Sequence, residues 1–171
     1  MILLVRHGRS LVDLSLPAHE WDLDPTGFDD VWGLRESGRL PHDAAWFCSP
    51  EPKAVQTAQL LTDGDVAVVE GLREHRRDST RWHDDFPGVV RRAFAEPDLA
   101  ASPGWEPLAR CRERVVTAVR ALREEHPDGP LVLVGHGTAW TVLVAALTGS
   151  EPDLEAWESL AMPDVLTVEP A

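Results

Sequence analysis

Residues 1–8, Met1-Ile2-Leu3-Leu4-Val5-Arg6-His7-Gly8, and residues 131–137, Leu131-Val132-Leu133-Val134-Gly135-His136-Gly137, share one construction. Each is a short aliphatic run that ends in a histidine and then a glycine. An uninterrupted apolar run of this length reads as a strand buried on both faces, the kind found in parallel sheets. In such a sheet both histidines reach the carboxyl edge, where open α/β folds bind ligands. The second run continues straight into a helical pattern, and a helix N-terminus attracts anions. Two imidazoles, the Arg6 guanidinium and a helix start at one edge compose an anion site.

Working outward, further strands are expected at Ala44–Cys48, Val66–Val69 and Val165–Val168. Helical periodicity fills the gaps between the runs. One helix begins near Phe28, Val31 and Trp32, with Thr26 as its N-cap. Another carries Ala54, Val55, Ala58 and Leu61, with Ser49 as N-cap and Pro50 as its first residue. A third runs from Trp82 through Phe86, Val89, Val90, Ala93 and Phe94 until Pro97. A fourth runs from Leu108 to Leu122 and stops before Pro127 and Gly129. Trp140 to Leu147 forms the last, closed by Gly149. Strands alternating with helices predict a three-layer α/β/α sandwich around a mainly parallel sheet. Residues 8–25 and 74–104 are the least regular stretches.

The 171 residues suit one domain spanning the whole chain. With 43% hydrophobic and 26% charged residues, the composition is that of a water-soluble globular protein. The formal net charge of −13 argues against nucleic-acid or anionic-membrane partners, which need a basic footprint. Cys48 and Cys111 form no metal-type pair and read as buried thiols in a reducing compartment. The apolar N-terminal run is too short for a signal-peptide core, so a cytoplasmic protein is expected. Lys53 is the single lysine among 16 basic residues, and there is no asparagine and no tyrosine.

Leu4-Val5-Arg6-His7-Gly8-Arg9-Ser10 resembles the signature of the histidine phosphatase superfamily, the phosphoglycerate mutase-like fold. Four further features follow in the family's order. Cys48-Ser49-Pro50, with Lys53-Ala54 and Gln56-Thr57-Ala58, is similar to its Ser-Pro-x-x-Arg-Ala-x-x-Thr-Ala helix start. Leu72-Arg73-Glu74 is similar to its Leu-x-Glu, and Gly104-Trp105-Glu106 to its Gly-Glu-Ser region. Val134-Gly135-His136-Gly137 is similar to the second-histidine motif. The resemblance implies hydrolysis of a small phosphorylated metabolite through a phosphohistidine on His7, with no metal and no cofactor. Glu74 would donate and recover the proton, and His136 would act beside His7. Arg6, Lys53, His136, Gly137 and Ser10 would hold the phosphate. The same resemblance leaves open a mutase, a pocket repurposed for binding or another reaction, and a homodimer.

The chain departs from the family pattern at three points. Lys53 stands where the family has a clamp Arg. A lysine is a point charge without the guanidinium fork, and losing one charge-assisted hydrogen bond costs about 1.5–3 kcal/mol. It reads either as a selected clamp or as a solvated residue at a helix start. Asp13 stands where the family often has Asn. A carboxylate ~4 Å from a phosphate would repel it by roughly 4 kcal/mol at an effective dielectric near 20, so Asp13 either turns away, pairs with Arg9 or Lys53, or marks a less charged ligand. After Glu74 comes His75-Arg76-Arg77-Asp78, which makes His75 a second candidate acid or phosphate contact. Elsewhere, His75, His83, Asp84 and Asp85 fit no standard metal spacing. Trp82, Trp105 and Trp140 suit either pocket walls or core. Arg76, Arg77 and Arg81 read as substrate recruitment or as a solvated charge run.

Overall fold

The computed structural model describes residues 1–169. Five strands, β1 (Ile2–Arg6), β2 (Ala45–Cys48), β3 (Val66–Val68), β4 (Leu131–Gly135) and β5 (Asp164–Val168), form one sheet in the order β3-β2-β4-β1-β5. The first four run parallel, and β5 lies antiparallel along β1 at the edge. All five runs picked out by apolar patterning are therefore strands.

Six helices cover the sheet: α1 (Phe28–Glu36), α2 (Pro52–Leu61), α3 (Phe86–Ala95), α4 (Leu108–Glu125), α5 (Gly137–Thr148) and α6 (Leu154–Ser159). Side chains alternate across a strand, and here the alternation sorts them into two cores. Ile2, Leu4, Leu131 and Leu133 pack with α4 and α5. Leu3, Val5, Val132 and Val134 pack with α1 and α2 on the other face. The three layers follow from that division. Along α4, Leu108, Cys111, Val115, Val119 and Leu122 keep a helical period and are buried. Cys48 and Cys111 are free, buried thiols, and burial pushes the Cys48 thiol up to about 11.

Four helix starts differ from the sequence expectation, among them α5, which begins at Gly137 rather than Trp140. Asp24, not Thr26, caps a single 3-10 turn at Pro25–Gly27, and α1 begins after Gly27. Helix α2 begins at Pro52, which supplies the early proline, and Glu51 occupies the N-cap position. Ser49 is drawn away because its hydroxyl lies 2.7 Å from His136 Nε2. Helix α3 begins at Phe86, capped by Asp85 through Gly88 N–H, so Trp82 lies outside it. By contrast, α5 ends at Gly149 as expected, with a left-handed φ of +70°.

Trp140 is fully buried, and its indole N–H donates to the Val5 carbonyl at 2.9 Å. It is core rather than pocket wall. The indole lies so close to Gly135 that a Cβ there would sit 2.5 Å from the ring. Only glycine fits at that step of β4.

Candidate active site

The register of β1 and β4 builds the centre of the site. Arg6 pairs with Gly135, and His7 N–H donates to the Gly135 carbonyl at 2.9 Å. The next residues on both strands are then level, and the His7 and His136 rings lie 5.1 Å apart, edge to face. A cavity of about 610 Å³ opens over them. Its lining includes every residue that the sequence nominated for the site: Arg6, His7, Ser10, Lys53, Glu74, His136 and Gly137.

His7 is buried, and its Nδ1 lies 2.6 Å from the Gly8 carbonyl. A carbonyl only accepts, so Nδ1 carries the proton and Nε2 keeps its lone pair. Burial holds His7 well below the usual histidine range, and the neighbouring His136 and Lys53 charges push it the same way. The imidazole is therefore neutral near neutral pH. Gly8 N–H donates to Thr57 Oγ1 at 3.0 Å, and that hydroxyl donates to the Lys53 carbonyl at 2.6 Å. The turn after His7 is thus tied to α2.

His136 is fully buried and stands at the N-cap of α5. Its Nε2 faces Ser49 Oγ at 2.7 Å and Glu51 Oε1 at 3.6 Å. Burial lowers its pKa, and Glu51 opposes that without reversing it. Its Nδ1 is buried and has no partner among the described residues.

Lys53 is buried rather than solvated. Its ammonium donates to Glu51 Oε2 at 2.7 Å and to the Ala18 carbonyl at 2.6 Å. Glu51 also accepts from Glu74 N–H at 2.9 Å. This carboxylate balances the lysine charge and fixes the segment that carries Glu74. Sequence reasoning did not single out Glu51, since an acid at a helix start usually reads as a dipole partner in solvent.

Glu74 sits over the first turn of α5. It accepts from His75 N–H at 2.8 Å, Thr138 N–H at 3.2 Å and Ala139 N–H at 2.8 Å. Burial alone would raise its pKa; Arg77, His136 and the bonded N–H groups overcome that and hold it down at about 2. At rest it is a carboxylate. His75, the other candidate acid, bonds the Glu106 carbonyl through Nε2 at 2.7 Å, and burial lowers its pKa too.

Arg77, which reads in sequence either as substrate recruitment or as part of a solvated run, lines the cavity. Its guanidinium packs on Phe86 and Trp105, 4.8 and 4.6 Å from their ring centres. One Nη donates to Thr138 Oγ1 at 3.0 Å, and Nε is buried without a partner among the described residues. The signal available in sequence was the aromatics at 86 and 105, but nothing local shows that they converge on position 77. Asp13 turns away: it is exposed, bonds Ser15 and is absent from the cavity lining. Among the described residues, no three His, Cys, Asp or Glu side chains converge as metal ligands.

The cavity lining holds six Lys or Arg side chains and three carboxylates, in a chain whose net charge is −13. An excess of cations over a neutral, oriented imidazole suits a tetrahedral oxyanion facing a nitrogen nucleophile.

A model of the histidine phosphatase superfamily (branch 1) matches residues 2–168. The uncharacterised phosphatase PhoE of Bacillus subtilis is 24% identical over 161 residues, covering 91% of this chain and 81% of its own. Among solved structures, YhfR of Bacillus stearothermophilus superposes with a TM-score of 0.71 at 23% identity, over 92% of this chain and 83% of its own. A mycobacterial glucosyl-3-phosphoglycerate phosphatase gives 0.69 at 24%, over 94% and 84%. Phosphoserine phosphatase from Entamoeba histolytica gives 0.74 at 18%, over 96% and 87%. These structural likenesses establish a shared fold. No helix among the described residues is long and apolar enough to cross a membrane.

Proposed function

The chain belongs to the histidine phosphatase superfamily, and from that premise we propose that it hydrolyses a small phosphomonoester through a phosphohistidine on His7. The observation that carries this reading is the His7 tautomer. Nδ1 is tied to the Gly8 carbonyl in a buried, neutral ring, so Nε2 is the free nucleophile at the cavity floor.

The substrate phosphate rests among Arg6, His136 and the start of α5 at Gly137, with Lys53 and Ser10 at its flank. Nε2 of His7 attacks phosphorus, an N–P bond forms and the ester P–O bond breaks. Spreading negative charge on the non-bridging oxygens is met by the cationic shell, whose dipoles are already in place. Glu74 delivers a proton to the leaving oxygen. It obtains that proton from the substrate, since a phosphomonoester has a second pKa near 6 and enters partly as the monoanion. The arriving phosphate charge also disfavours the Glu74 carboxylate, and it competes for the N–H groups at the α5 N-terminus. In the second step Glu74 takes a proton from water, the oxygen bonds phosphorus as the N–P bond to His7 breaks, and inorganic phosphate leaves carrying the proton that Glu74 hands on, with His7 and the Glu74 carboxylate restored. The proposal assigns no step to a metal. The substrates by which two structural relatives are named, glucosyl-3-phosphoglycerate and phosphoserine, support a small phosphorylated metabolite as the class.

The test is release of phosphate from an aryl phosphate together with acid-labile labelling of the protein. His7→Ala abolishes both; full activity in that variant overturns the reading. Phosphate moved between substrate positions without net release would identify a mutase. A second reading draws on one observation, the Glu74 carboxylate held at about 2. It has the pocket bind ligand without phosphoryl transfer, and it requires that no phosphohistidine form with any phosphate donor.

A further inference from the structure

A second cavity of about 270 Å³ adjoins the catalytic one, and the two share Ala18, Trp21, Arg77 and Phe86 in their walls. In the remaining wall, Leu14, Leu16, Trp82 and Trp105 supply the apolar surface beside Ser79, Thr80, Arg81 and His83, and no carboxylate lines it. Its rim is unusual for a protein surface. Leu14 is 57% exposed and Trp82 59% exposed, both lining a cavity that shares a wall with the catalytic one. Single exposed apolar side chains are ordinary, but a cluster of them around a concave site marks a binding surface.

Resting on the phosphatase reading above, we propose that this side cavity is the subsite for the alcohol portion of the substrate, and that this portion is planar and apolar. Continuity with the catalytic cavity identifies the occupant. A phosphate held at His7 must project its ester oxygen and alcohol outward, and the shared wall at Arg77 and Phe86 leads that alcohol between Trp82 and Trp105. Flat walls of indole and phenyl bind a ring by offset or edge contacts that a short alkyl chain cannot make. The Arg77 guanidinium, itself packed on Phe86 and Trp105, presents a cation at the junction. There its charge acts on the Glu74 carboxylate, which lines the catalytic cavity with it.

The experiment compares 2-phenylethyl phosphate with ethyl phosphate. Their alcohols differ little in acidity, so the ratio of kcat/KM reads contacts to the alcohol rather than leaving-group chemistry. The expected ratio is roughly 30 or more in favour of the phenyl compound, the scale at which a pocket discriminates a few carbons. Trp82→Ala and Leu14→Ser, both at exposed positions that do not support the core, bring the ratio to within about threefold of unity. Leu99→Ser, an equally exposed apolar site outside both cavities, leaves the ratio unchanged. Calorimetry with 2-phenylethylphosphonate and ethylphosphonate reads the same preference without turnover. If no phosphohistidine forms, the phosphatase reading falls while the phosphonate pair still decides the subsite. Equal affinities for the two phosphonates overturn the subsite, as does a preference that survives both rim variants. A dimer in solution that Trp82→Ala dissociates also overturns it, because the rim would then be covered by a second copy.

Discussion

The two His-Gly strand ends are near twins in sequence and opposites in structure. His7 leaves β1 into a loop and bonds the carbonyl of its own neighbour, so its outer nitrogen is free. His136 leaves β4 into α5 and spends its outer nitrogen on Ser49, with Glu51 close behind. One ring is oriented from below and open to the cavity, while the other is gripped from the side and fully buried. The same residue type at the same sheet edge thus presents a free ring nitrogen to the cavity or a fixed polar wall according to which nitrogen the scaffold claims. Burial keeps both neutral.

The contrast breaks most sharply at His7. His7→Ala should remove phosphoenzyme and cut turnover by on the order of 10⁴-fold or more, as loss of a covalent nucleophile does, with the fold retained by circular dichroism. If His136 is only a wall, His136→Ala should still label slowly, with turnover lower by roughly 10²–10³-fold, the range for one transition-state donor. Equal losses at the two positions would dissolve the distinction. Glu74→Gln should lower kcat on the order of 10²-fold, and it should also remove a pH-dependent part of the stability. The Glu74 carboxyl is depressed to about 2 from 4.5, so its contribution is fully present above pH 4.5 and lost as pH falls toward 2. That contribution is about 3 kcal/mol, and urea melts of the wild type and the variant across that window measure it.

The histidines carry the same sign on the pH axis, in a window that opens at higher pH. Both are neutral when folded and take protons near 6.5 when unfolded, so acid favours the unfolded chain below pH 6.5. For the same reason the acid limb of the labelling rate should lie below 6.5. A limb at or above 6.5 would mean that His7 is charged at rest. The mildest probe is Ser49→Ala, which releases His136 Nε2 without touching the cavity floor. We expect about a tenfold loss in kcat/KM, one hydrogen bond's worth, and no change in the labelled residue.

Much of this was legible in the sequence because the deciding features are local. Aliphatic runs marked all five strands, and the His-Gly ends marked the edge that carries the site. What stayed hidden depends on contacts distant in the chain. Ser49 looks like a helix cap until His136, 87 residues away, claims its hydroxyl. Lys53 read as a selected clamp with a solvated residue as the lesser alternative, and the buried Glu51 carboxylate shows why it is neither free nor exposed. Whether Arg77 belonged to a solvated run or to the pocket was not legible, because Phe86 and Trp105 meet it only through the fold. Asp13 looked threatening to an anion, but a short bonded turn with Ser15 turns it outward.

Trp140 has a consequence for motion. Its indole is hydrogen-bonded to β1, pressed against β4 and seated in α5, so the three elements that carry the histidines can separate only together. Amide hydrogens along this seam should exchange only through global opening, while those of residues 9–25 and 73–85 exchange through local openings. Substrate then enters and product leaves by breathing of the rim alone, over a floor that does not breathe. Heating should extinguish the site and the fold in one transition.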